Sequence, residues 1–311
     1  MDEGLAKKFM NLDKDLLQKR FGKNLIINEK LSKYSWFNLG GPADIFFRPE
    51  SKEQLMQFLQ SIRKSNYKIH ILGAGSNTLI RDTGVKGVVI KLGSKFSDIK
   101  LLDKETIEVG AAALDRKVSD FAKNNDISKM EFLSCIPGSI GGAIIMNSGC
   151  YGSEISEILM SIKVIDQNGI EKEIKRDEIK FFYRETDLSN NYIILSAVLK
   201  GISSSKKEIE RKQEELIQKK KDSQPSKIKT GGSTFKNKDN QKAWALIKES
   251  GSDKLYVGDA KISEKHCNFF VNEGKAKSSD IEKLIDRVKS EVKSKTGISL
   301  ELEIKIIGDE K

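Results

Sequence analysis

Two stretches of small residues stand where backbone amides can meet an anion. The first is "ILGAGSNTLIRD", Ile71 to Asp82, in which Gly73, Ala74, Gly75, Ser76 and Asn77 follow a strand-like run from Tyr67 to Leu72. The second is "IPGSIGGAIIMNSGCYG", where Gly138, Gly141, Gly142, Gly149 and Gly152 fall within fifteen residues. With no bulky side chains in the way, N–H groups in such turns approach a phosphate closely. Two of them can clasp a pyrophosphate from both sides, with neither a helix dipole nor a P-loop lysine.

Gly73-Ala74-Gly75 also suggests the dinucleotide turn of a Rossmann fold. That fingerprint needs a third glycine where Thr78 stands, then a packed helix, then an acidic residue about 20 positions on. "SNTLIRDTGVKGVVI" instead returns to a strand within about ten residues, too short for a βαβ crossover helix. The Rossmann reading is excluded.

The elements that must position these loops follow from periodicity. A helical stretch, Leu5 to Phe21, comes first, and in "YSWFNLGGPADIFFRPES" Gly40-Gly41-Pro42 interrupts a strand pattern. Ser51 opens a helix with Gln54 at capping-box spacing, and Leu55, Phe58, Leu59 and Ile62 recur at helical intervals. "VKGVVIKL" and "ETIEVGAAA" read as strands, and a helix is expected from about Leu114 to Asn124. Asn168-Gly169 between alternating runs predicts a hairpin, and "NYIILSAVLKG" another strand. The charged run Ser203 to Ser226 reads as a solvated helix joining two domains, closed by Pro225. Beyond it lie a strand at "CNFFVN", then a helix with Ser279 and Glu282 at capping-box spacing and Ile281, Leu284, Ile285, Val288 and Val292 on one face. "ISLELEIKII" alternates as a half-buried strand: Leu300, Leu302, Ile304 and Ile306 on one face, Glu301, Glu303 and Lys305 on the other.

At 311 residues and 38% hydrophobic, the chain has room for two or three domains. Its apolar runs fall far short of the roughly 18 residues of a membrane span, and the amino terminus has no cleavage-site pattern, so a cytoplasmic protein without membrane contact is expected. Cys135, Cys150 and Cys267 are odd in number and lack metal-ligand spacing, which predicts reduced, mostly buried thiols and no metal. A net charge of +10 suits nucleic acid, an anionic small molecule or a lysine-rich proteome. The lysines are scattered, densest at Lys219-Lys220-Lys221, with few aromatics beside them, which disfavours a nucleic-acid platform.

Six stretches, "LGAGSNTLIRD", "IPGSIGGAIIMNSGCYG", "YRET", "GGSTFKN", "ISEKHCNFFVN" and "LELEIKIIG", stand in the order and approximate spacing of the UDP-N-acetylenolpyruvoylglucosamine reductases, which the chain resembles from about Tyr34 to Gly308. The resemblance implies an α+β fold: a vanillyl-alcohol-oxidase-type FAD-binding unit of two subdomains plus a smaller C-terminal α+β substrate domain. The boundaries expected are 1–33 for an N-terminal helical segment and 34–202 for the FAD-binding domain, with subdomains of about 34–93 and 94–202. A linker helix is expected over 203–226 and the substrate-binding domain over 227–311. The short spacing around "GCYG" and "YRET" resembles the shorter class, which lacks an extra substrate-covering insertion.

The implied reaction belongs to peptidoglycan precursor synthesis. NADPH reduces FAD, hydride passes to the vinyl carbon of the enolpyruvyl ether of a UDP-sugar, and UDP-N-acetylmuramate results. Hydride addition leaves negative charge delocalised into the neighbouring carboxylate, so the site needs a cation, a second stabiliser and a proton source. By position in the motifs these are Arg184, Glu303 and Ser233. Arginine offers a two-point charged fork that lysine cannot reproduce. A serine after Gly231-Gly232 can be approached closely and can protonate a strongly basic enolate, helped by a cation such as Lys236. FAD contacts are implied for Gly40, Gly41, Gly73, Ala74, Gly75, Ser76, Asn77, Pro137, Gly138, Ser139, Gly141, Gly142 and Asn147. Substrate contacts are implied for Tyr183, Lys236, Ser263, His266 and Asn268, with His266 as wall rather than acid or base. Lys238 replaces a proline common in the family, and Cys135 and Glu185-Thr186 are also less usual. The expected partner is the small-molecule UDP-sugar, on a monomer or weak homo-oligomer. The competing enzyme reading is an FAD-dependent alcohol or sugar oxidoreductase of the same superfamily, which leaves Arg184, Ser233 and Glu303 unexplained.

Overall fold

The computed structural model describes residues 13–65, 67–188, 192–238 and 241–310. Asp13 caps the first helix, Lys14–Phe21 (α1), its carboxylate accepting from the Leu16 amide at 2.9 Å. Residues 5–12 of the expected helix lie outside the described residues. The segment expected to be helical over 1–33 holds a strand, Leu25–Lys30 (β1), because Leu25, Ile27 and Glu29 alternate inwards, a period that a helix could not bury. It pairs antiparallel with Pro42–Phe47 (β2), Leu25 opposite Phe47.

Lys52–Ile62 (α2), Ile69–Ile71 (β3), Thr78–Ile80 (β4) and Val85–Ile90 (β5) complete the first subdomain, whose sheet runs β1-β2-β5-β3 with β2, β5 and β3 parallel. Ser51 caps α2 as expected, accepting from the Gln54 amide at 3.2 Å, but the Gln54 carboxamide accepts from Glu50 rather than closing the box on Ser51.

The second subdomain comprises Ile99–Leu101 (β6), Thr106–Gly110 (β7), Asp115–Asn124 (α3), Ile140–Ile145 (α4), Leu159–Asp166 (β8), Glu171–Lys175 (β9) and Tyr192–Lys200 (β10). Its antiparallel sheet runs β9-β8-β10-β7-β6. The Asn168-Gly169 hairpin forms between β8 and β9, with Gly169 left-handed at φ 82°. One face packs on Val118, Ile140 and Ile144 of α3 and α4, while Ile165, Ile193 and Leu195 join the first subdomain's core with Phe47 and Phe58.

Lys206–Ser223 (α5) is the expected charged helix, yet it is not a solvated strut. Ile209 and Gln213 are buried, the Gln213 amide donates to the Ser119 hydroxyl at 2.7 Å, and Lys220 donates to the Cys135 carbonyl at 2.7 Å. Its apolar residues are few, but they seal the second subdomain.

The C-terminal domain contains Thr230–Ser233 (β11), Ala243–Glu249 (α6), Tyr256–Val257 (β12), Ala260–Ile262 (β13), Phe269–Asn272 (β14) and Ser278–Thr296 (α7). Its sheet runs β11-β14-β13-β12, and its core of Phe235, Phe270, Leu284 and Val288 takes in Phe37 and Leu79 from the first subdomain. The helix α7 begins at Ser278, not at a Ser279–Glu282 box. Ser278 and Asp82 exchange two hydrogen bonds, of 2.8 and 2.9 Å, and Glu282 pairs with Arg81 at 2.9 Å. The tail of the first glycine stretch, Arg81-Asp82, therefore holds the C-terminal domain. Lys305–Ile307 (β15) reinforces this by pairing parallel with β4, Lys305 opposite Thr78. The three thiols are free, Cys135 buried and the other two partly so. Among the described residues no helix is long and apolar enough to cross a membrane.

Candidate active site

The two glycine loops abut. A Cβ added at Gly73 would stand 2.9 Å from the Ser139 hydroxyl oxygen, so the loops meet side by side at this edge. Ile140 and Gly141 donate to the carbonyls of Ala113 and Ala111 at 3.0 and 2.9 Å, which fixes the second loop against the entry to α3. In the first loop Gly75 is left-handed at φ 72°, and a Cβ there would lie 1.9 Å from the Tyr34 carbonyl oxygen. Gly75→Ala is therefore expected to cost at least about 2 kcal/mol, checked by urea unfolding. Gly40 and Gly41 are glycine for packing: Gly41 donates to the Arg81 carbonyl at 2.9 Å, and its Cβ would meet Asp82 backbone at 2.2 Å.

Two further residues at these loops were not picked out by sequence reasoning. The Lys91 amine donates to the Gly73 carbonyl, and burial, then the nearby Arg48 charge, holds it below the usual lysine range. Asp115 opens α3 fully buried, both carboxylate oxygens without a hydrogen-bond partner among the described residues, one of them 2.4 Å from where a Gly138 Cβ would stand. Burial pushes its pKa well above the ordinary 3.8. A raised carboxyl contributes stability that is full below its unfolded value and lost as pH rises towards the folded one. Asp115→Asn should therefore raise the melting temperature more at pH about 8 than at pH about 5, in thermal scans at both pH values.

Arg184 sits in a tight turn between the short strands Phe181–Phe182 and Glu185–Thr186, itself left-handed at φ 58°. A non-glycine residue there stores about 1–2 kcal/mol of strain, the kind of outlier that the fold keeps at a working site. Its guanidinium donates to the Gly149 carbonyl at 2.8 Å and the Asn147 carbonyl at 3.5 Å, and stacks 4.8 Å from the Tyr183 ring centre. Its Nε faces Glu303 Oε1 at 3.3 Å. Asn147, expected on the flavin, spends its side chain on the protein: it donates to Glu154 at 2.7 Å and to the Phe182 carbonyl at 3.0 Å, and accepts from Ser156. It props the arginine turn.

Glu303 comes from the segment before β15. Its amide donates to the Thr234 carbonyl at 2.8 Å, and its own carbonyl accepts from the Asn77 side chain at 3.1 Å, which ties it to the first glycine loop. Burial raises its carboxyl above the ordinary value, against the lowering pull of Arg184 and Lys236. Lys236 bonds Glu185 at 3.1 Å, and Asn237 donates to the Tyr183 hydroxyl at 3.3 Å, so the C-terminal domain grips both sides of the arginine turn.

Ser233 ends β11 opposite Phe269, after a register break at Gly232, which is left-handed at φ 79°. A Cβ at Gly231 would strike the Phe37 ring at 2.4 Å, so the paired glycines let the strand lie on Phe37 and then turn out the serine. Ser233 is half-buried and precedes Thr234, whose carbonyl binds Glu303. Asn268, expected on the substrate, is instead a clamp: 3% exposed, it bonds both the amide and the carbonyl of Phe235, at 3.0 and 2.9 Å. His266 lies 4.9 Å from the Phe269 ring, and burial lowers its pKa from the ordinary histidine value. It and Ser263 occupy the β13–β14 turn, with no hydrogen bond or ion pair to the Arg184–Glu303 pair among the described residues.

Two abutting glycine loops lie on the first two subdomains, and a third domain supplies Ser233 and Glu303, the latter tied to the first loop through Asn77. A family model described as FAD binding domain matches residues 43–175, and one described as UDP-N-acetylenolpyruvoylglucosamine reductase, C-terminal domain, matches 224–307. The UDP-N-acetylenolpyruvoylglucosamine reductase of Pelagibacter ubique is 51% identical over 280 residues, covering 89% of this chain and 92% of that one. That of Wolbachia pipientis wMel is 41% identical over 279 residues, covering 89% and 94%. The crystal structure of the Thermus caldophilus reductase superposes with a TM-score of 0.78 at 33% identity, over 91% of this chain and 97% of that one. The chain belongs to the UDP-N-acetylenolpyruvoylglucosamine reductase family.

Proposed function

We propose that this chain reduces the enolpyruvyl ether of UDP-N-acetylglucosamine enolpyruvate to UDP-N-acetylmuramate, using NADPH and FAD, with Arg184, Glu303 and Ser233 as its chemical groups. The observation that carries the reading is the Arg184–Glu303 pair, joined across the domain boundary and tied through Asn77 to the first glycine loop.

The loops fit the flavin nucleotide: glycine at position 73 leaves room beside the Ser139 hydroxyl at their shared edge, and Lys91 stands beside it. Bound FAD supplies a two-electron hydride relay from NADPH to the vinyl carbon. Arg184, anchored by two backbone carbonyls, holds the substrate carboxylate and the charge that develops there. Glu303, whose carboxyl burial raises against the pull of Arg184 and Lys236, donates to the enolate in its protonated form. Ser233 delivers the proton to the carbon next to the carboxylate, and Lys236 stabilises the alkoxide that remains. Tyr183, Ser263 and His266 contribute wall. The enzyme works as a cytoplasmic monomer or weak homo-oligomer, and the basic surface suits polyanionic UDP-sugar and NADPH.

Purified protein should be yellow, bleach with NADPH, and regain its oxidised spectrum when the enolpyruvyl UDP-sugar is added. Protein that carries no flavin and cannot be reconstituted with FAD would sink the reading, and flavin that stays attached after denaturation would favour the covalent sugar and alcohol oxidases.

A further inference from the structure

The strands β2, β5 and β3 run parallel and end in register: Phe47 lies opposite Ile90, and Ile71 opposite the same Ile90. The residues that follow, Arg48, Lys91 and Leu72-Gly73, therefore share one carboxyl edge. The Lys91 amide donates to the Phe47 carbonyl at 3.0 Å and the Leu72 amide to the Ile90 carbonyl at 2.9 Å, which holds the three chain segments side by side. In sheets with parallel strands, ligands settle outside this edge.

Lys91 is unusual there. It is half-buried, its amine reaches the Gly73 carbonyl, and no carboxylate pairs with it among the described residues. Arg48 pairs only loosely, Nε 3.8 Å from Glu50, with that side chain half exposed. A partly buried cation without an anion is costly unless something anionic arrives. The point it reaches, Gly73, is where the second loop presents Ser139.

We propose that Lys91, seconded by Arg48, is the charged group that binds the diphosphate of FAD, so that the cradle is not built from backbone amides alone. The inference rests on the flavin reading above. Lys91 would then be both a latch on the first loop and an ion partner of the ligand, two roles that a substitution can separate. Lys91→Gln keeps an N–H donor for the Gly73 carbonyl without the charge, Lys91→Met removes both, and Lys91→Arg keeps the charge.

The test strips the full-length protein of flavin and follows the quenching of added FAD fluorescence across a range of salt concentrations, with riboflavin, which lacks phosphate, as the comparison. Lys91→Met and Lys91→Gln should weaken FAD about 10–100-fold, the worth of a charge-assisted bond, while leaving riboflavin unchanged. Their FAD affinity should also depend less on salt than that of the unaltered protein, and Lys91→Arg should stay near it. FAD affinity retained in Lys91→Gln, or FAD and riboflavin weakened by one common factor, overturns the assignment, and if Lys91→Gln fails to fold, an unaltered salt dependence of FAD binding in Lys91→Met overturns it. Unaltered protein that takes up no FAD would instead sink the flavin reading itself.

Discussion

Ser233→Ala is expected to remain yellow and to bleach with NADPH at nearly the normal rate, while reoxidation by the enolpyruvyl UDP-sugar slows by about 10²–10⁴-fold, the usual worth of a positioned general acid. The split follows from geometry. Ser233 lies in the C-terminal domain, on the strand end that Gly231 and Gly232 turn out over Phe37, whereas the glycine loops lie in the first two subdomains. Losing one hydroxyl there removes no hydrogen bond within the protein among the described residues, since its oxygen has no such partner. The fold and the flavin should therefore be spared, and melting temperature should hold. Stopped-flow absorbance of the flavin band, each half-reaction in turn, provides the check. Equal loss in both halves would point to a distorted site rather than a missing proton.

Much of this site was legible because backbone constraints write themselves into the chain. Gly75, Gly231 and Gly232 mark places where a Cβ has no room or φ is left-handed, and each lies within a quoted motif. The alternation of "ISLELEIKII" put Glu303 on the polar face, and that face does meet Arg184. What stayed hidden depends on long-range partners. Asn268 looked like a substrate contact because a polar residue in a motif has the same letter whether it faces a ligand or clamps Phe235. Lys91 gained meaning only once β2, β5 and β3 proved parallel, since the edge rule needs strand direction. The strand Leu25–Lys30 was absorbed into a helical segment because six residues give too short a window to separate the two periods.

Arg184→Gln should cost the sugar half-reaction about 10²–10³-fold, and Arg184→Lys nearly as much despite keeping the charge. Two of the guanidinium's nitrogens are pinned by the Asn147 and Gly149 carbonyls and Nε faces Glu303, so its plane is fixed before any ligand arrives. A lysine ammonium reaching the same spot can satisfy one of these contacts at a time and cannot present a fork to a carboxylate. The pair is also coupled. Arg184 and Lys236 pull the Glu303 carboxyl down while burial pushes it up. Acting as a neutral donor, Glu303 fails as pH rises through its pKa, so the rate of flavin reoxidation by the sugar falls on the alkaline side. Removing Arg184 lifts that pKa, and the alkaline fall in Arg184→Gln should move to higher pH; in Glu303→Gln it should vanish. Because the two side chains touch, the double variant should lose less than the product of the single losses. A double loss equal to that product, with an alkaline limb that stays in place, would mean that Arg184 and Glu303 act independently and that burial alone sets the glutamate.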